Sequence, residues 1–234
     1  MEKESKSPEE IVIDGFRHIR YRHEFVTTEE MTDKSETFYH WLDSRRSIRE
    51  FSDREVPREV IENLIRAAST APSGAHKQPW TFCAVSDPDL KLQIRKAAEN
   101  EEKESYENRM GERWKSVLAP MATDMFKPFL EIAPWLIVVF KRAYEYDADR
   151  RKHNNYYVNE SVGIACGMLI AAIHNAGLAT LTHTPSPMRF LTRLLKRPDN
   201  ERAFLLLPVG YPKDPTYVPD LKRKELEEVA VFYG

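Results

Sequence analysis

Cysteine is scarce in this sequence, and its two cysteines lie far apart. Cys83 and Cys166 each stand in an apolar run, and no C-x-x-C pair is present. A disulfide framework or a zinc site needs more ligands or closer ones. The sequence therefore predicts two buried free thiols in a reducing compartment and no metal site.

Long apolar runs and an excess of one charge are also missing. The longest uncharged apolar run, residues 162–173, is shorter than the roughly 20 residues that a membrane-spanning helix needs. The polar N-terminus lacks the apolar core of a signal peptide. A net charge of -2 gives no sign of the basic surface that nucleic acid requires. We expect a soluble, cytoplasmic protein that binds neither membranes nor nucleic acid.

Four common catalytic or nucleotide-binding motifs are absent. The sequence contains neither G-x-G-x-x-G nor G-x-x-x-x-G-K-[ST], which argues against a Rossmann site and a P-loop. It also lacks G-x-S-x-G and H-E-x-x-H, so serine hydrolases and zinc proteases have no local support.

Hydrophobic periodicity predicts an α+β protein with one main domain. A chain of 234 residues can bury one substantial core. We expect an N-terminal arm over residues 1–35 and a domain over residues 36–234. Helices outnumber strands and do not alternate regularly with them, which favours α+β layers. The predicted helices cover residues 36–44, 57–70, 89–110, 114–130, 155–175 and 187–195, and the predicted strands cover residues 80–85, 135–140, 178–182 and 203–209.

The helix over residues 155–175 is apolar on nearly all sides and contains Gly163 and Gly167. This composition predicts a buried central helix that another helix approaches closely.

Two short segments near the front of the chain suit a phosphorylated cofactor. Residues 45–49 read RRSIR, and residues 71–75 read APSGA, a tight turn. Arginine binds phosphate through two parallel hydrogen bonds, and serine adds a neutral donor. A charged helix end is the open alternative for the arginines.

Several longer segments resemble the nitroreductase superfamily from about Ser35 to the C-terminus. They are RRSIREFSDREVP, APSGAHKQPW, NNYYVNESVGIACGMLIAAIHNAGL, THTP, LLLPVGYP and VPDLKRK, in that order. Within the superfamily, PSGAHKQPW and the E-x-x-x-Y segment before RMGERW resemble the iodotyrosine deiodinase branch.

This resemblance implies a three-layer fold with a central, mixed but mainly antiparallel sheet between helices. It also implies a domain-swapped homodimer that holds FMN in two active sites at the subunit interface. Residues of about 99–130 would form a lid, and residues of about 211–234 would form a C-terminal extension.

The resemblance also assigns cofactor contacts. The FMN phosphate and ribityl chain would be held by Arg45, Arg46, Ser47, Arg49 and Arg223. The flavin would contact the turn formed by Pro72, Ser73 and Gly74. On composition alone, Arg223 fits a solvated basic tail better than a phosphate site.

A second segment, residues 182–184, would lie along the flavin edge. Thr182 and the backbone of His183 would contact FMN there. The hydroxyl of Thr184 would bond a flavin nitrogen and favour one-electron transfer, which makes Thr184 a catalytic candidate. Without the resemblance, Thr184 reads as a structural residue.

The resemblance assigns four residues to an amino acid substrate. The Ala75 backbone N–H would meet the substrate phenolate, which makes Ala75 the second catalytic candidate. Glu102 would bind the ammonium, Lys127 the carboxylate, and Tyr106 would close over the ring. Glu102 and Tyr106 are four residues apart and share a helical face, although this acidic stretch also fits a solvated helix.

The implied activity is FMN-dependent reductive dehalogenation of 3-iodotyrosine and 3,5-diiodotyrosine, and of bromo- and chlorotyrosine as further substrates. Electrons would come from NAD(P)H or from an electron-donating reductase. Two alternatives stay open at this point. One is a general FMN nitroreductase or flavin reductase, and the other is a non-catalytic protein that binds flavin or halotyrosine.

Overall fold

The computed structural model describes residues 9–234. They divide into two compact units, and the boundary along the chain lies between Ser44 and Arg45. The first eight residues of the predicted arm lie outside the described part. The smaller unit contains an antiparallel hairpin, β1 (Glu10–Ile13) and β2 (Phe16–Ile19), followed by helix α1 (Thr28–Asp43).

Helix α1 corrects the predicted start of the first helix at residue 36. Thr27 caps it by accepting the Glu30 N–H, and the Glu30 carboxylate accepts the Thr27 N–H. This reciprocal pair satisfies two backbone donors that the first turn leaves open. The helix therefore begins eight residues earlier than its apolar residues indicate, and residues 9–35 are not a plain extended arm.

The larger unit, Arg45–Gly234, carries the remaining elements. In chain order they are α2 (Arg58–Ser69), β3 (Trp80–Val85), α3 (Pro88–Glu104), α4 (Glu112–Leu118), α5 (Phe129–Ile132), β4 (Trp135–Arg142), β5 (Tyr144–Tyr146), β6 (Lys152–Asn154), α6 (Val158–Asn175), β7 (Ala179–Thr180), α7 (Arg189–Leu194), β8 (Glu201–Gly210) and α8 (Leu226–Val229).

Four strands form one antiparallel sheet in the order β3-β4-β8-β7. Strand β4 is buried throughout its centre, so its residues face a core on both sides of the sheet. Ile137 and Val139 pack with α2 and α6, whereas Leu136, Val138 and Phe140 pack with α3, α5 and α7. The predicted α+β fold of helices on both faces of a mainly antiparallel sheet is confirmed.

Residues 114–130 correct a second prediction, because they do not form one continuous helix. Helix α4 ends at Leu118, a 3₁₀ turn covers Ala119–Met121, and α5 begins only at Phe129. Pro120 and Pro128 lack the N–H that a continuing helix needs, and Ala122 adopts a left-handed backbone with φ of +46°. The break leaves a loop that carries Lys127.

Helix α6 is buried on one side only within this chain, which corrects the expectation of a fully buried helix. Val162, Ala165, Leu169 and Ile173 are in the core, but Ile164 is 46% exposed. Side chains built on Gly163 or Gly167 would meet nothing within 4 Å. In the described chain, no other helix approaches this glycine face.

Both cysteines are free, as predicted, but only one of them is buried. Cys166 is buried in α6 and Cys83 is half-buried in β3. Burial raises the pKa of Cys166 to about 12, so its thiol stays protonated. Within residues 9–234, no helix combines the length and the apolar character that a membrane span requires.

Candidate active site

Three arginines close together in the sequence and a fourth, distant one line the same cavity. A cavity of about 300 Å³ is lined by Arg45, Arg46, Ser47, Arg49 and Arg223 together with Met121 and residues of the 218–222 segment. Arg223 donates a 3.4 Å hydrogen bond to the Arg45 carbonyl, 178 positions earlier in the chain. We call Arg45, Arg46 and Arg223 the arginine cluster.

The arginine cluster concentrates positive charge. The pKa of Arg45 is lowered first by burial and then by the positive charges of Arg223 and Arg46. Like charges held together in a half-buried cavity favour an anion with several acceptor oxygens. These residues therefore fit the phosphate of FMN.

The backbone next to the arginine cluster is anchored to the sheet. Ser47 pairs with Thr180 in a parallel bridge, and the Ile48 N–H donates to the Thr180 carbonyl at 3.2 Å. The buried side chain of Ile48 belongs to the core. Strand β7 thus fixes the position at which Ser47 and Arg49 reach the cavity.

A second cavity of about 570 Å³ adjoins the first. The two share Ser47, Arg49, Met121, Val218 and Pro219, and the second extends to Thr123, Asp124 and Phe129. Arg49 acts electrostatically on Lys127, Tyr106 and His183 as well. The arginine cluster is therefore continuous with the region around Lys127.

Lys127 and Glu102, two of the four predicted substrate residues, form a buried ion pair. The Lys127 ammonium lies 3.9 Å from the Glu102 carboxylate. It also donates to Thr123 Oγ1 at 3.1 Å and to the carbonyl of Asp124. Burial raises the pKa of Glu102 against the pull of Lys127, and burial lowers the pKa of Lys127 against the pull of Glu102. Both charges are held with little water around them.

Tyr106, the third predicted substrate residue, lies in the same region. It stands in a π-helical turn, Ser105–Arg109, that follows α3, and its hydroxyl donates to the Thr123 carbonyl at 3.1 Å. Burial raises the pKa of Tyr106, with smaller contributions from Glu102 and Asp124. The phenol is therefore a neutral donor close to the ion pair.

Several residues that the sequence did not single out hold Lys127 in place. The Glu99 carboxylate accepts the Lys127 N–H at 2.7 Å and also binds Arg95. Thr123 bonds both Lys127 and Tyr106. Glu99 lies 28 positions from Lys127, so no local spacing in the sequence indicates these contacts.

Residues 182–184 present alternating side chains. Thr182 and Thr184 are exposed, whereas His183 is buried and packs edge-on against Phe129. The His183 backbone exchanges two hydrogen bonds with Leu206 in β8. Burial, with Lys127 and Arg49 nearby, lowers the pKa of His183 to about 3, so the ring is neutral. Its side chain thus points away from the exposed threonines.

The predicted Pro72–Ala75 turn is tightly built and strained. Ala75, His76 and Gln78 have φ values of +48°, +53° and +46°, which cost about 1–3 kcal/mol each for residues other than glycine. A Cβ on Gly74 would lie 2.9 Å from the ring of Tyr157 and 3.0 Å from the Tyr156 carbonyl. Any side chain at position 74 would therefore force Tyr156 or Tyr157 to shift.

Within the described chain, the turn stands apart from the other predicted site residues. Neither of the two cavities includes Pro72, Ser73, Gly74 or Ala75. The Gly74 N–H donates to Ser161 in α6, and the carbonyl of Gln78, shortly after the turn, accepts from Arg142 in β4. Neither contact involves the arginine cluster or Lys127. One chain thus gathers the arginine cluster and the ion pair but leaves the turn elsewhere.

Comparison with known proteins gives one family. Residues 42–211 match the profile of the Nitroreductase family. The chain is similar to an iodotyrosine deiodinase of Haliscomenobacter hydrossis, with 62% identity over 88% of this chain and 92% of that protein. It is also similar to human iodotyrosine deiodinase 1, with 48% identity over 93% of this chain and 76% of that protein.

Solved structures are also similar to this chain. A crystal structure of oxidised iodotyrosine deiodinase bound to FMN and 3-iodo-L-tyrosine superimposes with a TM-score of 0.72, at 36% identity, over 84% of this chain and 98% of that one. A nitroreductase-like protein of Streptococcus mutans shares the fold with a TM-score of 0.65 at 18% identity, over 86% of this chain and 100% of that one.

Proposed function

Because the chain belongs to the nitroreductase family and, within it, to the iodotyrosine deiodinases, we propose that it binds FMN and reductively removes iodide from iodotyrosines. The substrates are 3-iodotyrosine and 3,5-diiodotyrosine, with bromo- and chlorotyrosine as further substrates of the same class. The reaction replaces a carbon–halogen bond with a carbon–hydrogen bond, consumes two electrons and one proton, and releases halide and tyrosine.

One observation supports this proposal most strongly: the cavity lined by the arginine cluster adjoins a second cavity whose lining residues Thr123 and Asp124 accept hydrogen bonds from Lys127 of the Glu102–Lys127 ion pair. The cluster offers several cationic donors to a phosphate. The ion pair offers one anion and one cation, which match the ammonium and carboxylate of a free amino acid. A general nitroreductase needs the first feature but not the second.

Arg45, Arg46, Ser47 and Arg223 would hold the FMN phosphate, and Arg49 would contact the ribityl chain. Thr182, the His183 backbone and Thr184 would lie along the flavin edge. Bound FMN supplies the electrons for the reduction. The exposed hydroxyl of Thr184 is free to turn towards a cofactor atom, and its proposed role is to hold one hydrogen bond there.

On substrate binding, the ion pair between Glu102 and Lys127 is replaced by two ion pairs with the substrate. Glu102 takes the substrate ammonium, and Lys127 takes its carboxylate. Tyr106 then covers the ring, and the lid over residues 99–130 excludes water, which strengthens each of these charge contacts. The Ala75 N–H meets the phenolate, so negative charge on the phenol oxygen is stabilised while its ring is reduced.

The separation of the turn from the other site residues supports a homodimer in which a second copy completes each site. The exposed face of α6 around Gly163 and Ile164 is suited to close packing against another chain. The C-terminal extension also exposes large apolar side chains, at Tyr217, Leu226, Phe232 and Tyr233. We propose that this extension exchanges between subunits, and that NAD(P)H or a reductase supplies the electrons.

A comparison of two substrates tests the proposed function. With dithionite as the electron source, FMN-loaded protein should release iodide from 3-iodotyrosine far more efficiently than from 2-iodophenol, which lacks the zwitterion. Equal efficiencies would favour a general reductase. Binding of 3-iodotyrosine without iodide release would favour a non-catalytic binding protein.

A further inference from the structure

We call the segment Ser73–Gln78 the strained turn, because its backbone angles are unfavourable for the residues that adopt them. Ala75, His76 and Gln78 all have positive φ, a region that residues with a Cβ rarely adopt. Gln78 also precedes Pro79, whose ring disfavours helical backbone angles at the preceding residue. Contacts with residues outside the strained turn must therefore stabilise these backbone angles.

Arg142, at the end of β4, supplies those contacts. Its guanidinium donates from Nη2 to the Gln78 carbonyl at 2.9 Å and to the Trp80 carbonyl at 3.1 Å. Its backbone N–H donates to the Pro79 carbonyl at 2.9 Å. Arg142 thus binds three consecutive carbonyls and ties the end of the strained turn to the central sheet.

The other bonds of the strained turn do not replace Arg142. Ser73 Oγ accepts the Gln78 N–H at 2.9 Å, which closes the loop upon itself. Ser161 Oγ accepts the Gly74 N–H at a long 3.4 Å. Neither of these two bonds reaches the sheet. The Trp80 N–H, at the start of β3, donates to the Gln78 carbonyl at 2.8 Å, but this bond comes from the backbone of a neighbouring residue. Arg142 is the side chain that links the strained turn to β4, and its planar fork is oriented by Glu145 at 2.9 Å.

We propose that Arg142 is a positioning residue for substrate binding: it maintains the positive φ angles of the strained turn and so aims the Ala75 N–H at the phenolate. This inference rests on the proposed function, because it takes the Ala75 contact from there. Arg142 itself touches neither substrate nor cofactor. Its effect passes through Gln78 and the backbone of the strained turn.

The first test replaces Arg142 with lysine, which keeps the charge but loses the fork. For FMN-loaded R142K we expect the Kd of 3-iodotyrosine, measured by flavin fluorescence, to rise about tenfold, the effect of weakening one hydrogen bond to a charged group. The kcat at saturation should change less than about threefold. R197K, which loses the same kind of fork against Glu201 and not against the strained turn, is the matched control and should stay within about twofold of wild type.

The second test asks whether backbone strain is the cause. Glycine adopts positive φ without a Cβ penalty, so Q78G should restore most of the affinity that R142K loses. Q78A removes the same side chain but keeps the Cβ, and should restore none. An R142K variant with lower thermal stability but unchanged Kd would reduce Arg142 to a structural residue, and equal rescue by Q78A and Q78G would exclude strain as the cause.

Failure of the proposed function can be told apart from failure of this inference. If wild-type protein binds FMN but releases no iodide, the proposed function is wrong. The coupling between positions 142 and 78 is then measured by thermal unfolding of wild type, R142K, Q78G and the R142K/Q78G double variant. Selective stabilisation of R142K by Q78G would support the role of Arg142 in maintaining the strained turn, and its absence would overturn it.

Discussion

The ammonium of Lys127 lies 3.9 Å from the carboxylate of Glu102, and the two side chains are only 5% and 14% exposed. The residues assigned to opposite ends of the substrate are thus paired with each other in the free chain. A zwitterion that enters between them brings one charge for each partner. No buried charge is left alone at any stage, which matters because an unpaired buried charge is costly.

Removal of Lys127 should selectively weaken binding of the amino acid substrate. In K127M, the substrate carboxylate loses its cation, and the Kd of 3-iodotyrosine should rise roughly 10- to 100-fold, since hydrogen bonds to charged groups contribute about 1.5–3 kcal/mol. Binding of 2-iodophenol should be unchanged. Titration of FMN-loaded protein by flavin fluorescence measures both.

Lys91 provides a matched control for that variant, because it is another buried lysine, with its ammonium bonded to the Ala133 carbonyl at 2.8 Å. K91M should lower stability and leave the Kd of 3-iodotyrosine unchanged. Equal losses of affinity in K91M and K127M would contradict the role of Lys127.

Removal of Arg223 should weaken FMN binding through the phosphate alone. We expect the Kd of FMN to rise about 10- to 100-fold in R223A, by the loss of a charge-assisted hydrogen bond. Riboflavin, which has no phosphate, should bind wild type and R223A equally. K224A removes an exposed lysine of the same segment, two positions after Lys222. It is the control and should bind FMN normally. A parallel loss of riboflavin affinity would indicate a general distortion of the site.

The exposed side of α6 should mediate dimer formation. A lysine in place of Ile164 puts a charge into the proposed interface, and I164K should sediment as a monomer where wild type sediments as a dimer. N63K adds the same charge to an exposed position of α2 and should remain dimeric. If I164K is still a dimer, the interface lies on another surface.

Glu201 should control stability in acid. Burial alone would raise the pKa of Glu201, but bonds from Arg197 at 2.6 and 3.0 Å and from Thr81 at 2.6 Å outweigh burial and lower it. A carboxyl with a lowered folded-state pKa contributes stability above its ordinary value near 4.5, and that stability is lost as the pH falls through the folded-state pKa.

The E201Q variant tests this linkage. It should be less stable than wild type at pH 7 by about 1–3 kcal/mol, because its bonds to Arg197 lose their charge. The difference should shrink as the pH falls below about 4.5. Urea unfolding at a series of pH values measures it, and a difference independent of pH would show that Glu201 titrates normally.

Local sequence patterns predicted the elements whose apolar residues are continuous. The strand Trp80–Val85 and the core of β4 follow directly from apolar, β-branched runs. The early start of α1 was missed because its first turn is held by the polar pair Thr27 and Glu30 rather than by apolar residues. The glycine face of α6 looked buried because its composition is as apolar as that of the buried face, and composition alone does not distinguish the two.

Local sequence patterns predict only part of the candidate site. Arg45, Arg46 and Arg49 form a visible cluster in sequence, but Arg223 joins them from 178 positions away. Arg142 reaches Gln78 across 64 positions and Glu99 reaches Lys127 across 28. Such contacts arise from packing between segments that are distant in the sequence, so resemblance to a family could suggest Arg223 but no local spacing could suggest Arg142.

An anaerobic titration tests the central claim most directly. Protein with fully reduced FMN is mixed with limiting 3-iodotyrosine, while flavin absorbance, free iodide and tyrosine are followed together. We predict one iodide and one tyrosine for each flavin oxidised. Flavin that remains reduced in the presence of 3-iodotyrosine, or flavin oxidation without release of iodide, would contradict the proposed deiodination.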